Sequence, residues 1–238
     1  METLIGKHML VTGAAGGIGS ALVKLLTGSG ARVFLAARNA DKLERLAATN
    51  RIPANQTVAL DLSDPAAVLE LKSKYFEVFP VIDILVNAAG TGIIKPIESL
   101  TESDFLQSIH NNLFAPFLLL KAFLPAMKET KKGLIINIPG VLGKVPMAGA
   151  AAYSASKYGL VGMMQSVREE LKRTEIRITN IYLGGVDSPF WDGIDLKVQR
   201  DRMVRAEEAA KAIWFLCQQP ASGVVSEMVL QPFNHQAI

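Results

Sequence analysis

The segment Thr12-Gly13-Ala14-Ala15-Gly16-Gly17-Ile18-Gly19 constrains the fold more than any other stretch of the chain. It follows an apolar, strand-like run at His8–Thr12 and leads into a helix-like stretch at Ile18–Thr27. Glycines there permit positive φ and let the backbone come close to a pyrophosphate. The first turn of the helix adds free N–H groups and a dipole that favours an anion. Such a turn also serves as a plain strand-to-helix connection. Its place after the first strand and before a helix points instead to a bound dinucleotide.

The same alternation continues along the chain. Further strand candidates are Arg32–Ala37, Thr57–Leu60, Ile82–Asn87, Leu134–Ile138, Arg177–Tyr182 and Glu227–Leu230. Between them lie helix candidates at Asp41–Ala48, Pro65–Phe76, Glu102–Lys128, Tyr153–Arg173 and Glu207–Gln218. Several strands are apolar throughout, as expected where helices cover both faces of a parallel sheet. The pattern predicts an α/β fold, a Rossmann-like doubly wound parallel sheet of about seven strands. No repeat, low-complexity tract or linker interrupts it, so residues 1–238 read as one dinucleotide-binding and catalytic domain.

Composition narrows the partners. Half of the residues are hydrophobic and a fifth are charged, which describes a globular chain. The net charge of +3 is dispersed, without a basic block interleaved with aromatics, so nucleic acid is not an expected partner. Apolar runs such as Phe114–Leu120 fall far short of the roughly 18 residues of a spanning helix, so no membrane association is expected. A strand-like run begins within the first few residues, which predicts no signal peptide and a cytoplasmic location. Cys217 is the single cysteine and lies in an apolar run, where a buried side chain is expected. His8, His110 and His235 have no metal-ligand spacing, so no metal is expected.

In doubly wound sheets, ligands collect beyond the carboxyl ends of the strands. The segments to watch are therefore Gly13–Gly19, Arg38, Asp61–Leu62, Ala88–Gly90, Pro139–Gly140 and Gly184–Ser188. At the end of the second strand, a carboxylate would bind both ribose hydroxyls of NAD and repel a 2′-phosphate. This chain has Arg38 there, and no acid before Asp41. Arginine pairs with phosphate bidentately, which favours NADP(H) over NAD(H), the alternative cofactor. Asp61 suits a hydrogen bond to the adenine amino group, or else caps the helix that follows.

Tyr153 and Lys157 stand four residues apart, on one face of a helix. A cation near a phenol favours the phenolate, so the pair is suited to exchange a proton with a carbonyl or alcohol.

Taken in order, these segments resemble the short-chain dehydrogenase/reductase family along nearly the whole chain. The matching pieces are Thr12–Gly19, Asp61, Asn87-Ala88-Ala89-Gly90, Asn112, Tyr153 with Lys157, and Gly184–Ser188. The resemblance implies that Tyr153 is the general acid in reduction and the base in oxidation. Lys157 would hold the nicotinamide ribose and lower the tyrosine pKa, and Asn112 would hold a water linking the lysine to solvent. Gly13, Ala15, Gly16, Gly17, Ile18 and Gly19 would cradle the cofactor. Asn87 would tie the fourth strand to its neighbours, and Gly90 would pass close to the cofactor. Val186 and Ser188 would orient the carboxamide, with Ser188 replacing the more usual threonine. The resemblance also implies a homodimer or homotetramer.

The chain departs from the family pattern at three places. Ala88 replaces the second asparagine of Asn-Asn-Ala-Gly, and Leu183 replaces the proline before Gly184. More seriously, the catalytic serine position, thirteen residues before Tyr153, is Gly140, and no serine or threonine lies between Asn137 and Tyr153. Losing such a donor costs about 2.7–4 kcal/mol of transition-state stabilisation. The resulting expectation is an NADP(H)-dependent oxidoreductase acting on a small-molecule carbonyl or alcohol, slowed by Gly140. Two other readings stand beside it: an NADP(H)-binding sensor or weak subunit, and an isomerase or dehydratase. Phe190 and Trp191 are expected either in the pocket or in the core. Met147, Met163, Met164 and Met203 are expected in the core or at a subunit contact. Asp187–Arg202 is the expected mobile element.

Overall fold

A computed structural model describes residues 1–233, so the His235 expectation lies outside the described residues. Seven strands form one parallel sheet: β1 (His8–Thr12), β2 (Arg32–Ala37), β3 (Thr57–Ala59), β4 (Ile84–Asn87), β5 (Lys132–Asn137), β6 (Glu175–Leu183) and β9 (Glu227–Leu230). Their order is β3-β2-β1-β4-β5-β6-β9, so the winding reverses between β1 and β4. That crevice is where a doubly wound sheet binds its ligand. Two short strands, β7 (Val186–Asp187) and β8 (Val204–Arg205), pair with each other apart from the main sheet.

Alternate residues of each strand point into two separate cores, which is why the strands are apolar throughout. Met9, Val11, Ile84 and Val86 pack towards α1 (Gly17–Gly28) and α7 (Ala206–Leu216). On the other side, Leu10, Phe34 and Leu85 meet α3 (Pro65–Val78), α5 (Ala115–Thr130) and α6 (Ala151–Leu171). Tyr75 stands edge-on to Phe79 and Phe123 within this second core, and all three rings are fully buried. Fully burying one large apolar side chain contributes roughly 1.5–3 kcal/mol. Asn39 caps α2 (Ala40–Thr49) by accepting from the Lys42 N–H, and Asp64 caps α3 ahead of Pro65.

The expected single helix over Glu102–Lys128 is divided. α4 (Glu102–Ile109) passes through a π-helical turn at His110–Phe114 before α5 begins. Pro116 explains part of this, because it has no N–H to give to the carbonyl of Asn112 four residues earlier. β1, β2 and β9 have the predicted bounds, the other predicted elements are present with shifted ends, and the β7–β8 pair was not expected from two-residue runs.

Candidate functional site

The cofactor half of the site is built on the turn after β1. Gly13 has φ +64, and a Cβ there would lie 2.6 Å from the Ala89 backbone nitrogen, so only glycine fits between the two loops. Gly16 is the N-cap of α1, whose first turn carries no acidic side chain to compete for an anion. Gly13, Ala15 and Gly16 line a cavity of about 250 Å³ together with Arg38, Lys42, Asp61 and Leu62. Gly19 is buried in the turn, and Ile18 faces a second cavity described below. Gly17 abuts Ser188, with an added Cβ only 2.8 Å from the serine Cβ.

Arg38 is exposed at the end of β2, with Lys42 from α2 lining the same cavity. Asp61 Oδ1 accepts from the Ser63 N–H at 2.9 Å and the Ser63 hydroxyl at 2.8 Å. These bonds, with a smaller contribution from Arg38, hold its carboxyl below the usual carboxylate range. Helix capping falls to Asp64, so Asp61 is not the cap.

Ala88, Ala89 and Gly90 line both cavities and join them into one cleft across the switch point. Beneath them runs a buried row of amides in register across the strand ends. Asn87 Nδ2 donates to Asn137 Oδ1 at 2.8 Å, and Asn137 Nδ2 to Asn180 Oδ1 at 3.3 Å. Asn87 thus ties β4 to its neighbour from below the cavities.

Asn112 is buried in the π-helical turn, behind Gly90. Its Oδ1 accepts from the Thr91 N–H at 3.0 Å, while its Nδ2 donates to the Thr91 carbonyl at 2.9 Å and to Ser156 Oγ at 3.2 Å. The side chain is therefore occupied in clamping the Gly90–Thr91 loop to α6.

Tyr153 and Lys157 on α6 both face the larger cavity, of about 420 Å³. Lys157 is 4% exposed, and its Nζ donates to the Ile138 carbonyl at 3.0 Å. Burial drives its pKa down to about 8. Burial also raises the Tyr153 phenol above its ordinary value. The expected lowering of that pKa by Lys157 is thus not the effect seen here. The lysine Nζ bonds the Ile138 carbonyl and stands 5.5 Å from the centre of the tyrosine ring, and desolvation of the phenol dominates. A protonated phenol is the form a general acid requires.

Gly140 follows β5 with φ +70 and ψ 170, a conformation essentially confined to glycine. A Cβ built there would stand 4.0 Å from Tyr153 Oη. Gly184, Val186 and Ser188 form another part of the same wall. Phe190 and Trp191 line the cavity rather than the core. The Phe190 ring lies 5.9 Å from that of Tyr153, and Trp191 Nε1 donates to the Val186 carbonyl at 2.9 Å. Met147 and Met203 also line it, whereas Met164 is fully buried and Met163 packs against the second core.

Sequence reasoning missed Lys42, Thr91, Ser156, Asn137 and Asn180. Lys42 lies in the first turn of α2, four residues after Arg38, and both side chains line the same cavity. Thr91 and Ser156 carried no separate signal; they matter because Asn112 reaches both.

Elsewhere, His110 is exposed and His8 stacks on Phe79. Among the described residues, no group of three or more His, Cys, Asp or Glu is placed to hold a metal ion. Cys217 is buried, and burial raises its thiol pKa. No helix among the described residues is long and apolar enough to cross a membrane.

A doubly wound parallel sheet with a glycine turn at its switch point and a Tyr–Lys pair in the adjoining cavity defines a nucleotide-dependent oxidoreductase class. Residues 7–199 match the short chain dehydrogenase family model. The chain belongs to that family. It is 31% identical over 226 residues to an uncharacterised oxidoreductase of Staphylococcus epidermidis, covering 95% of this chain and 97% of the relative. A metagenomic short-chain oxidoreductase solved with NADP is similar at TM-score 0.83 and 33% identity, covering 97% and 99% of the two chains. An alcohol dehydrogenase of Thermococcus sibiricus complexed with 5-hydroxy-NADP is similar at TM-score 0.86 and 28% identity, covering 95% and 97%.

Proposed function

We propose that residues 1–238 act as one unit that interconverts a carbonyl and an alcohol with NADP(H). The observation that carries this reading is the single cleft: the glycine turn and Arg38 at one end, Tyr153 and Lys157 at the other, with Ala88–Gly90 common to both.

The residues present fit the cofactor. Gly13 and Gly17 let the turn pack closely against Ala89 and Ser188, and exposed Gly16, the N-cap of α1, lines the smaller cavity with no acid in the first helical turn, which suits a pyrophosphate. Arg38 and Lys42 offer two cations for a 2′-phosphate, and Asp61 Oδ2, which has no partner among the described residues, suits the adenine amino group. The NADP and 5-hydroxy-NADP complexes of the two similar structures support the choice. When bound, the nicotinamide supplies or accepts the hydride at the substrate carbon.

Tyr153 Oη gives its proton to the carbonyl oxygen in reduction and takes it back in oxidation. Lys157 holds the nicotinamide ribose and presents its charge beneath the phenol. Asn112 positions the Gly90–Thr91 loop beside Lys157 and would hold a water linking that lysine to solvent. Val186 and Ser188 orient the carboxamide.

Screening aldehydes, ketones and alcohols while following NADPH absorbance tests this reading. Turnover of at least one class is expected. Tight NADPH binding with no turnover of any would contradict it. Gly140 favours one second reading, a cofactor-binding protein with weak turnover, because no side-chain hydroxyl from that position stands beside Tyr153. Assembly into a dimer or tetramer is supported by Phe105, Leu106, Phe117 and Tyr158, which are exposed on α4, α5 and α6; sedimentation checks it.

A further inference from the structure

The larger cavity carries a charge pattern that the reaction does not use. Its walls are largely apolar, with Ile94, Leu142, Met147, Phe190, Leu196 and Met203 among them. Among the described residues that line it, only Lys157 and Arg202 are charged, and none is Asp or Glu. Lys157 belongs to the reaction centre. Arg202, at the mouth, does not.

The two arginines of the Arg200–Arg202 turn have different partners. Arg200 bonds Asp192 at 2.7 Å and the Ser188 carbonyl at 2.6 Å, and pairs with Asp187 at 3.5 Å. It thereby pairs with two of the four carboxylates in the segment after β6; among the described residues neither of the others, Asp195 and Asp201, pairs with Arg202. Arg202 makes no side-chain hydrogen bond or ion pair among the described residues, although its backbone is held on both sides. Its N–H donates to the Gln199 carbonyl at 3.1 Å, and two residues on the Val204 N–H donates to Gly185 at 3.0 Å. An exposed guanidinium thus hangs from an anchored backbone at the edge of an apolar cavity, with no protein counter-ion among the described residues.

From this we infer that the substrate is an amphipathic carbonyl compound bearing a carboxylate at the end remote from the reacting carbon. The carbonyl meets Tyr153, the apolar body lies along the wall, and the carboxylate pairs with Arg202, with the Gln199 amide lining the same mouth. A planar guanidinium fork matches a carboxylate bidentately. One cation balances one negative charge, whereas a phosphate monoester carries about −1.5 to −2 and calls for a second.

This inference rests on the carbonyl-reductase reading, so its test needs an arm independent of turnover. Straight-chain aldehydes ending in a carboxylate are compared with their methyl esters, over a series of lengths, in the wild type and in Arg202→Met and Arg202→Gln. In the wild type, the best acid should exceed its ester in kcat/KM by about fivefold or more, with the difference in KM. Both variants should abolish that ratio. Calorimetry of the matching ω-hydroxy acids and esters with the NADP-loaded protein should give the same preference in affinity. An acid-to-ester ratio near one in the wild type, or one that survives in both variants, overturns the carboxylate assignment. If no aldehyde turns over but the hydroxy acid binds in an Arg202-dependent way, the reductase reading fails and the carboxylate site stands.

Discussion

Lys157 Nζ donates to the main-chain carbonyl of Ile138 at 3.0 Å, so the strand that ends at Asn137 fixes the ammonium of the helix that carries Tyr153. Burial pushes this lysine down to about 8. The ammonium is present below that pH and lost above it. With Lys157 required as a cation, kcat/KM for NADPH should be level below about pH 8 and fall above it, since this parameter reports the free enzyme. In Lys157→Arg the fall should vanish, whatever the absolute rate, because arginine does not titrate there. A wild-type profile that stays flat well above pH 8 would contradict a role for the charged lysine.

Gly140 adopts φ +70 and ψ 170. Any L side chain there is strained by about 1–3 kcal/mol, so Gly140→Ala and Gly140→Ser should lose similar stability in urea unfolding. They should part in catalysis. A serine Cβ lies 4.0 Å from Tyr153 Oη, within reach of a hydroxyl donor to the same substrate oxygen. Up to about a hundredfold rise in kcat is expected for Ser over Ala. Equal kcat in the two variants would mean the position has no influence on the reacting oxygen.

Much of this site was legible in sequence because its parts are local. The turn at Gly13–Gly19 and the four-residue step from Tyr153 to Lys157 are spacings that one strand or helix realises by itself. Arg38 was found from its place at a strand end, and Gly140 by counting back thirteen residues from Tyr153. What escaped depends on non-local contacts. Thr91 matters only because Asn112 reaches across from another element. The β7–β8 pair forms from residues too few to show alternation, brought together by the chain between them. The break at His110–Phe114 had a signal in Pro116, but helical periodicity on both sides concealed it. The pKa of Tyr153 went the other way from expectation because desolvation is a property of the whole cavity, not of the helix pair.

Removing the Asn112 side chain leaves the Thr91 N–H, the Thr91 carbonyl and the Ser156 hydroxyl each short of one partner. A buried group left unpaired costs about 1–3 kcal/mol, so Asn112→Ala should lose at least ~2 kcal/mol. Asn112→Asp keeps the acceptor for Thr91 N–H and should fall between. Chemical denaturation followed by circular dichroism decides it, and a loss of under ~0.5 kcal/mol in Asn112→Ala would contradict the clamp.

Arg38 and Lys42 line the same cavity, so cofactor choice should respond to both. Arg38→Asp should weaken NADPH by about ten- to a hundredfold, as charge-assisted bonds are lost, and leave NADH unchanged or improved. Lys42→Ala should give a smaller loss. Fluorescence titration of the two cofactors measures this. Unchanged NADPH affinity in Arg38→Asp would show that the 2′-phosphate lies elsewhere.

Transfer of deuterium from C4-deuterated NADPH to the carbonyl carbon of a substrate, read by mass spectrometry, tests the proposed chemistry most directly. In the wild type, the alcohol product should carry the label. Tyr153→Phe should still bind NADPH but transfer the label about a hundred- to ten-thousandfold more slowly, as expected when a general acid is removed. Tight NADPH binding with no label in any product, or transfer indifferent to Tyr153, would contradict the proposed reaction.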